Sequence, residues 1–187
     1  LSPQEGVNQT ALPEVITYRS SIPLEKQPDM SAVGFAIVIQ GQKICHVGSK
    51  SIDYSAGKYL SRFVPMPVEI STPGASSEKP VLMVGFQVHL NRLASLILKL
   101  DSIDLGLIQP RNLDPSGIYA SPLIPELSDT ILRVLKILTN SVETAMLGES
   151  TLDEIYYRVL RHERHGALRF LLRQHEQIHQ ISRASEY

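Results

Sequence analysis

The sequence holds one cysteine, Cys45, so no internal disulfide can brace the fold, and a lone thiol is the usual picture in a reducing cytoplasm. Long apolar runs are missing: Val81 to Gly85 and Leu93 to Leu98 fall well short of the ~20 residues needed to span a bilayer. No secretory leader is written at the start, because Leu1 to Thr10 is polar and has no basic stretch ahead of an apolar core. Neither sign of charge is in excess. With 18 basic and 19 acidic residues the formal charge is −1, so no overall field draws the chain to nucleic-acid phosphate or anionic lipid. We read the chain as cytoplasmic, without a membrane partner, and any action on DNA would need another segment. It also lacks an initiating Met, which points to a trimmed or excerpted chain.

The signatures of catalysis are missing as well. There is no Gly-rich phosphate loop, nucleophile elbow or nucleotide fingerprint. The H-x-H pair by which small barrels hold iron, zinc or manganese is absent, and only His46 and His89 fall near strands. No catalytic residue, cofactor or metal site is expected. A metal-dependent barrel enzyme is the alternative from another class.

What the sequence does have is a change of period. The first 30 residues are an arm in which Pro13, Pro23 and Pro28 forbid a long helix, although Val15 to Tyr18 has strand composition. Strands are expected over Val33 to Ile39, Gln42 to Val47, Ser51 to Tyr54, Tyr59 to Val64, Val68 to Thr72 and Val81 to Val88, separated by short turns. Strands so short and close favour a closed or nearly closed antiparallel barrel or sandwich, assigned to residues 31–100 and roomy enough for one small ligand. Residues 101–121 form a connecting loop, and 122–187 a helical region. Leu90, Leu93, Ile97 and Leu100 mark a first helical face, and Ser121-Pro122 reads as the start of a helix with Leu127, Ile131, Val134, Leu135 and Leu138 on its apolar stripe. Thr151 with Glu154 completes a capping box ahead of Leu152, Ile155, Tyr156, Val159 and Leu160. A last helix is expected from near Gly166, with Leu168, Leu171, Leu172, His175 and Ile178 on one side. The fold class is therefore α+β.

Two constellations invite chemistry. His175-Glu176-Gln177-Ile178-His179 matches H-E-x-x-H, in which two imidazoles one helical turn apart share zinc and the glutamate polarises water. Its third ligand is missing: no histidine follows His179, and Ser182 and Ser185 stand where the extended pattern needs Gly and His. A zinc hydrolase is thus disfavoured, and His162, His165, His175 and His179 are read as surface or interface groups. Cys45 has Lys43 and His46 nearby, and positive charge can activate a thiol for redox chemistry. In a strand, however, Cys45 and Lys43 share one face while His46 takes the other, so a buried inert thiol is the default.

The run Tyr18-Arg19-Ser20-Ser21, the strand end Val38-Ile39-Gln40-Gly41-Gln42-Lys43 and the segment Tyr54 to Leu60 resemble the N-terminal domain of AraC-type transcriptional regulators. Pro65-Met66-Pro67-Val68, Lys79-Pro80 and Asp153 to Leu160 extend the likeness, which runs from about Val15 to Ala184. The resemblance implies a cupin-like barrel that senses a small effector, followed by helices for homodimerisation and for a link to a DNA-binding domain. In such regulators two helix-turn-helix motifs follow this region, and they are not in this chain. From strand position and chemistry, the effector pocket is expected to draw on Tyr18, His46, Tyr54, Tyr59, Arg62 and Phe86.

Overall fold

The computed structural model describes residues 1–29, 33–103, 117–162, 168–169 and 171–172. Ten strands run in chain order: β1 (Gly6–Gln9), β2 (Val15–Ser20), β3 (Gln27–Asp29), β4 (Gly34–Gln40), β5 (Ile44–Val47), β6 (Lys50–Asp53), β7 (Lys58–Arg62), β8 (Val68–Ser71), β9 (Val81–Gln87) and β10 (Ile118–Pro122). Three helices complete the described elements: α1 (Leu90–Ile103) between β9 and β10, then α2 (Pro125–Ile137) and α3 (Ser141–His162).

The strands form two antiparallel sheets rather than one closed barrel. The larger has the order β1-β2-β9-β4-β7-β10 and the smaller β3-β8-β5-β6. Hydrogen bonding stops where the chain changes sheet, and the residues there say why. β7 leaves for β8 through Pro65 and Pro67, and β8 leaves for β9 between Pro73 and Pro80; a proline offers no N–H to a ladder. β4 leaves for β5 at Gly41, whose φ of 85° is a conformation that favours glycine and whose missing Cβ would sit 2.8 Å from Val81 Cγ2.

Side chains alternate across the large sheet and divide the interior into two cores. Phe35 and Ile37 on β4, Tyr59 on β7, and Val84 and Phe86 on β9 point to the helices, where they join Leu93 and Ile97 of α1, Leu127, Ile131 and Val134 of α2, and Leu152, Ile155, Tyr156 and Val159 of α3. The opposite face meets the small sheet through Tyr18, Val38, Leu60 and Met83, packed with Cys45, Tyr54 and Val68. Each such aliphatic side chain contributes about 1.5–3 kcal/mol when fully buried.

All six strands expected from composition are present, with ends shifted by two residues at most. Residues 6–29 supply β1, β2 and β3, and β2 lies inside the large sheet between β1 and β9. Two helix starts need correction. Ser121-Pro122 ends β10, and the proline in the first turn of α2 is Pro125. The capping box at Thr151 is no helix start: its hydroxyl donates back to the Leu147 carbonyl at 2.7 Å, and α3 begins ten residues earlier, at Ser141. Asn140 caps that start, its Oδ1 accepting from the N–H groups of Val142 and Glu143 at 2.9 and 3.1 Å. Leu168, Arg169, Leu171 and Leu172 are helical, whereas Gly166, His175 and Ile178 of the last expected helix lie outside the described residues. No helix among the described residues is long and apolar enough to cross a membrane.

Candidate functional site

A cavity of about 440 Å³ lies between the two sheets, a volume ordinary for a small-molecule site. The large sheet lines it with Ile16 and Tyr18 of β2, Ala36 of β4, Leu60 and Arg62 of β7 and Met83 of β9. The small sheet contributes Asp29 of β3, Cys45 of β5, and Val68 and Ile70 of β8, with Lys43 just ahead of β5 and Tyr54 just after β6. Gly34 and Gly85 also border it and fill none of it with side chain. At Gly85 a Cβ would stand 2.9 Å from Ile16 Cγ1.

The walls are mostly apolar, and the charges among them are few. Lys43 is only 4% exposed, with its Nζ 4.2 Å from the centre of the Tyr18 ring and 3.5 Å from Met83 Sδ. A cation over an aromatic face is stabilised by the ring quadrupole, but by less than a carboxylate would supply. Loss of hydration lowers the Lys43 pKa to about 8, against a smaller opposing pull from Asp29. Arg62 is 7% exposed and has a carboxylate partner, with Nη1 3.7 Å from Asp29 Oδ2. Burial holds the hydroxyls of Tyr18 and Tyr54 above their usual range, Tyr54 well above it, so both stay neutral donors.

Of the residues singled out from sequence, Tyr18, Tyr54, Arg62 and Phe86 border this cavity, as does Cys45. Phe86 does so from β9, while its ring stacks on Phe35 on the helix side, centroids 5.2 Å apart. His46 and Tyr59 are not among the lining residues. His46 bridges strands elsewhere: its Nδ1 lies 2.9 Å from Ser51 Oγ and its Nε2 2.9 Å from Ser71 Oγ. Tyr59, in register with Ile37, belongs to the helix-side core. Cys45 is fully buried, and burial pushes its thiol up, away from the thiolate that redox chemistry needs.

Lys43 and Asp29 were not singled out from sequence as pocket residues. Strand parity carries the signal for Lys43, since it shares a face with Cys45 and follows that residue inward. Asp29 has no comparable signal, because the three-residue β3 in which it sits is too short for a period.

Next to the cavity, β9 is tied to the helices. The Tyr156 hydroxyl donates to the Gln87 carbonyl at 2.7 Å and accepts from the His89 N–H at 2.9 Å, and its ring meets Phe35 edge-on at 6.0 Å. On the surface above, Arg92 of α1 gathers Glu14 at 3.6 Å, Asp153 at 2.7 Å, and Glu149. His162 is exposed at the end of α3, and His165 and the H-E-x-x-H motif from His175 to His179 lie outside the described residues. Among the described residues no group of three His, Cys, Asp or Glu side chains is placed to hold a metal ion.

A family profile described as the AraC-type transcriptional regulator N-terminus matches residues 11–167. No curated protein matches by sequence. Among solved structures, ligand-free ToxT from Vibrio cholerae strain SCE256 is similar at a TM-score of 0.54 and 10% identity, over 81% of this chain and 57% of that one. The same protein bound to an unsaturated fatty acid is similar at 0.53 and 14%, over 82% and 54%. ToxT from Vibrio cholerae O395 bound to (E)-4-(8-methylnaphthalen-1-yl)but-3-enoic acid is similar at 0.53 and 6%, over 78% and 55%. At such identities the likeness is one of fold, and the present chain spans a little over half the length of those chains.

Proposed function

This chain belongs to the AraC-type transcriptional regulators, matching the model of their N-terminal part over residues 11–167, and from that premise we propose that it is the segment that senses a small-molecule effector. The cavity between the sheets carries this reading: it is of ligand size and walled by both sheets. The carboxylic acids held by the ToxT structures support a small organic occupant. Tyr18, Tyr54, Arg62 and Phe86 are the effector-site residues of this reading that border the cavity, with Cys45 beside them; His46 and Tyr59 would act from outside it.

The effector acts by population shift. An occupant that favours one spacing of the sheets biases β9, and with it the helices that Tyr156 fastens to β9. DNA is reached through a helix-turn-helix domain outside this chain, whose placement those helices set. Homodimerisation through the helices is part of the proposal, supported by Val142 and Met146, which stand exposed one turn apart on α3. The role is binding without turnover.

The test is a cavity-filling variant, Ala36→Phe, placed in the complete regulator. The expected result is a folded protein whose target promoter no longer responds to effector. An unchanged response would place sensing elsewhere, and steady turnover of a small molecule with bound metal would favour the enzyme alternative.

A further inference from the structure

We infer that the occupant of the cavity is a singly charged anion with an apolar body, its acidic head seated at Lys43 and its body on Ile16, Ala36, Leu60, Val68, Ile70 and Met83. This rests on reading the cavity as the sensing site and adds the chemical class of what enters it.

Charge balance comes first. The charged side chains lining the cavity are Lys43, Arg62 and Asp29, two cations and one carboxylate. Asp29 lies 3.7 Å from Arg62, whereas Lys43 makes no salt bridge among the described residues. One positive charge is left, and it is the one with the least water around it. A lysine this buried is rare without a partner, because loss of hydration is costly and a ring face with a thioether sulfur returns only part of it. An anionic head at Nζ would supply the missing partner, and inside an apolar wall its charge-assisted bond would be strong.

The walls narrow the class further. A sugar or other polyhydroxylated ligand needs hydrogen-bonding groups on every side, whereas this lining has seven aliphatic or thioether side chains, and its two amides, Gln9 and Gln87, belong to exposed residues. A doubly charged anion would bring more negative charge than the lining balances. A neutral apolar ligand would leave Lys43 buried and unpaired. A monoanion with an apolar body, such as a carboxylate on a hydrocarbon, matches both walls and charge.

The test is calorimetric titration of the whole chain, wild type and Lys43→Met, with decanoate and with decan-1-ol, which share a body and differ in the charge of the head. Decanoate is expected to bind the wild type and to lose about thirtyfold in affinity on Lys43→Met, the cost of removing one partner of a buried charge pair. Decan-1-ol is expected to bind more weakly and alike to both proteins. Lys43→Arg, which keeps the charge, should keep the preference for decanoate, and it answers the question even if Lys43→Met does not fold. No decanoate binding, equal binding of the two probes to wild type, or undiminished decanoate binding to Lys43→Met would each overturn the inference. Ala36→Phe separates the two readings. If it abolishes binding of both probes while Lys43→Met changes neither, the sensing site stands and the anion does not; if it leaves both untouched, the site itself fails.

Discussion

The hydroxyl of Tyr156 on α3 lies 2.7 Å from the carbonyl oxygen of Gln87 at the end of β9, and Gln87 borders the cavity. The same hydroxyl accepts from the N–H of His89, the last residue before α1. One side chain therefore satisfies both backbone groups exposed where sheet turns into helix, and it joins the floor of the cavity to the longest described helix.

Removing that hydroxyl should cost stability without disturbing packing. Tyr156 is fully buried, so Tyr156→Phe keeps the edge contact with Phe35 but takes the hydroxyl from the His89 N–H and the Gln87 C=O, which lie on exposed residues. Losing hydrogen bonds of this partly exposed kind costs about 0.5–1.5 kcal/mol each. Urea unfolding should show a lower midpoint with an unchanged slope. A second expected effect is faster amide exchange at His89, since its N–H loses its acceptor.

The two glycines of the cavity wall should respond differently to alanine. At Gly34 a Cβ would meet the Phe86 carbonyl oxygen at 2.1 Å, and neither backbone can yield, so Gly34→Ala should destabilise by about 3 kcal/mol. At Gly85 the nearest atom is Ile16 Cγ1, at 2.9 Å, the flexible part of a side chain. Gly85→Ala should cost about 1 kcal/mol or less as Ile16 turns aside. It also places a methyl group in the cavity wall, so effector affinity should fall more than stability does. Thermal melting and ligand titration of both variants decide the matter.

The parts of this fold that the sequence revealed are those whose own side chains decide their place. β4 and β9 are rich in β-branched and aromatic residues, and their apolar content marks them wherever they pair. β1, Gly-Val-Asn-Gln, is a strand because β2 offers it a ladder, and its one buried residue, Asn8, is held by hydrogen bonds to the Gln4 and Gly6 carbonyls. β3 and β10 are likewise made by their partners β8 and β7. Within the site, Tyr18, Tyr54 and Arg62 were legible because large polar residues at strand positions are natural pocket groups. Phe86 and Tyr59 also sat on strands, but only the register, Phe86 against Phe35 and Tyr59 against Ile37, tells that their rings face the helices. Lys43 was hidden by expectation, since lysine is almost never fully buried.

Cys45 tests how closed the cavity is. The thiol is fully buried and its pKa is raised by burial, so iodoacetamide should modify it far more slowly in the native chain than in urea. Because Cys45 lines the cavity, an occupant should slow the reaction again. Native labelling as fast as in urea would mean that the two sheets separate readily and that the thiol is open to redox chemistry.

Lys43 also sets a dependence of stability on pH that can be read without any ligand. In the unfolded chain its ammonium keeps the proton up to its ordinary pKa of 10.5, whereas in the folded chain it releases the proton near 8. Between those values the unfolded state binds more protons, so raising the pH drives the equilibrium toward the folded state. The groups whose charges act on Lys43 are Asp29 and Cys45, which raise its pKa, and Arg62, which lowers it; burial outweighs them. Unfolding free energy should therefore rise from pH 8 toward pH 10 by an amount on the order of 2 kcal/mol in wild type relative to Lys43→Met, which cannot titrate there. Urea titrations at several pH values would show it as a slope more positive in the wild type than in the variant, since the buried Cys45 thiol lowers both curves alike as the pH rises. An anion bound at Nζ should reverse the sense of the effect. It favours the charged amine, so it raises the folded-state pKa, and the stabilisation it gives should fade as the pH climbs above 8. A wild-type curve parallel to that of Lys43→Met across this range would mean that the ammonium is hydrated and that the cavity is open to water at Lys43.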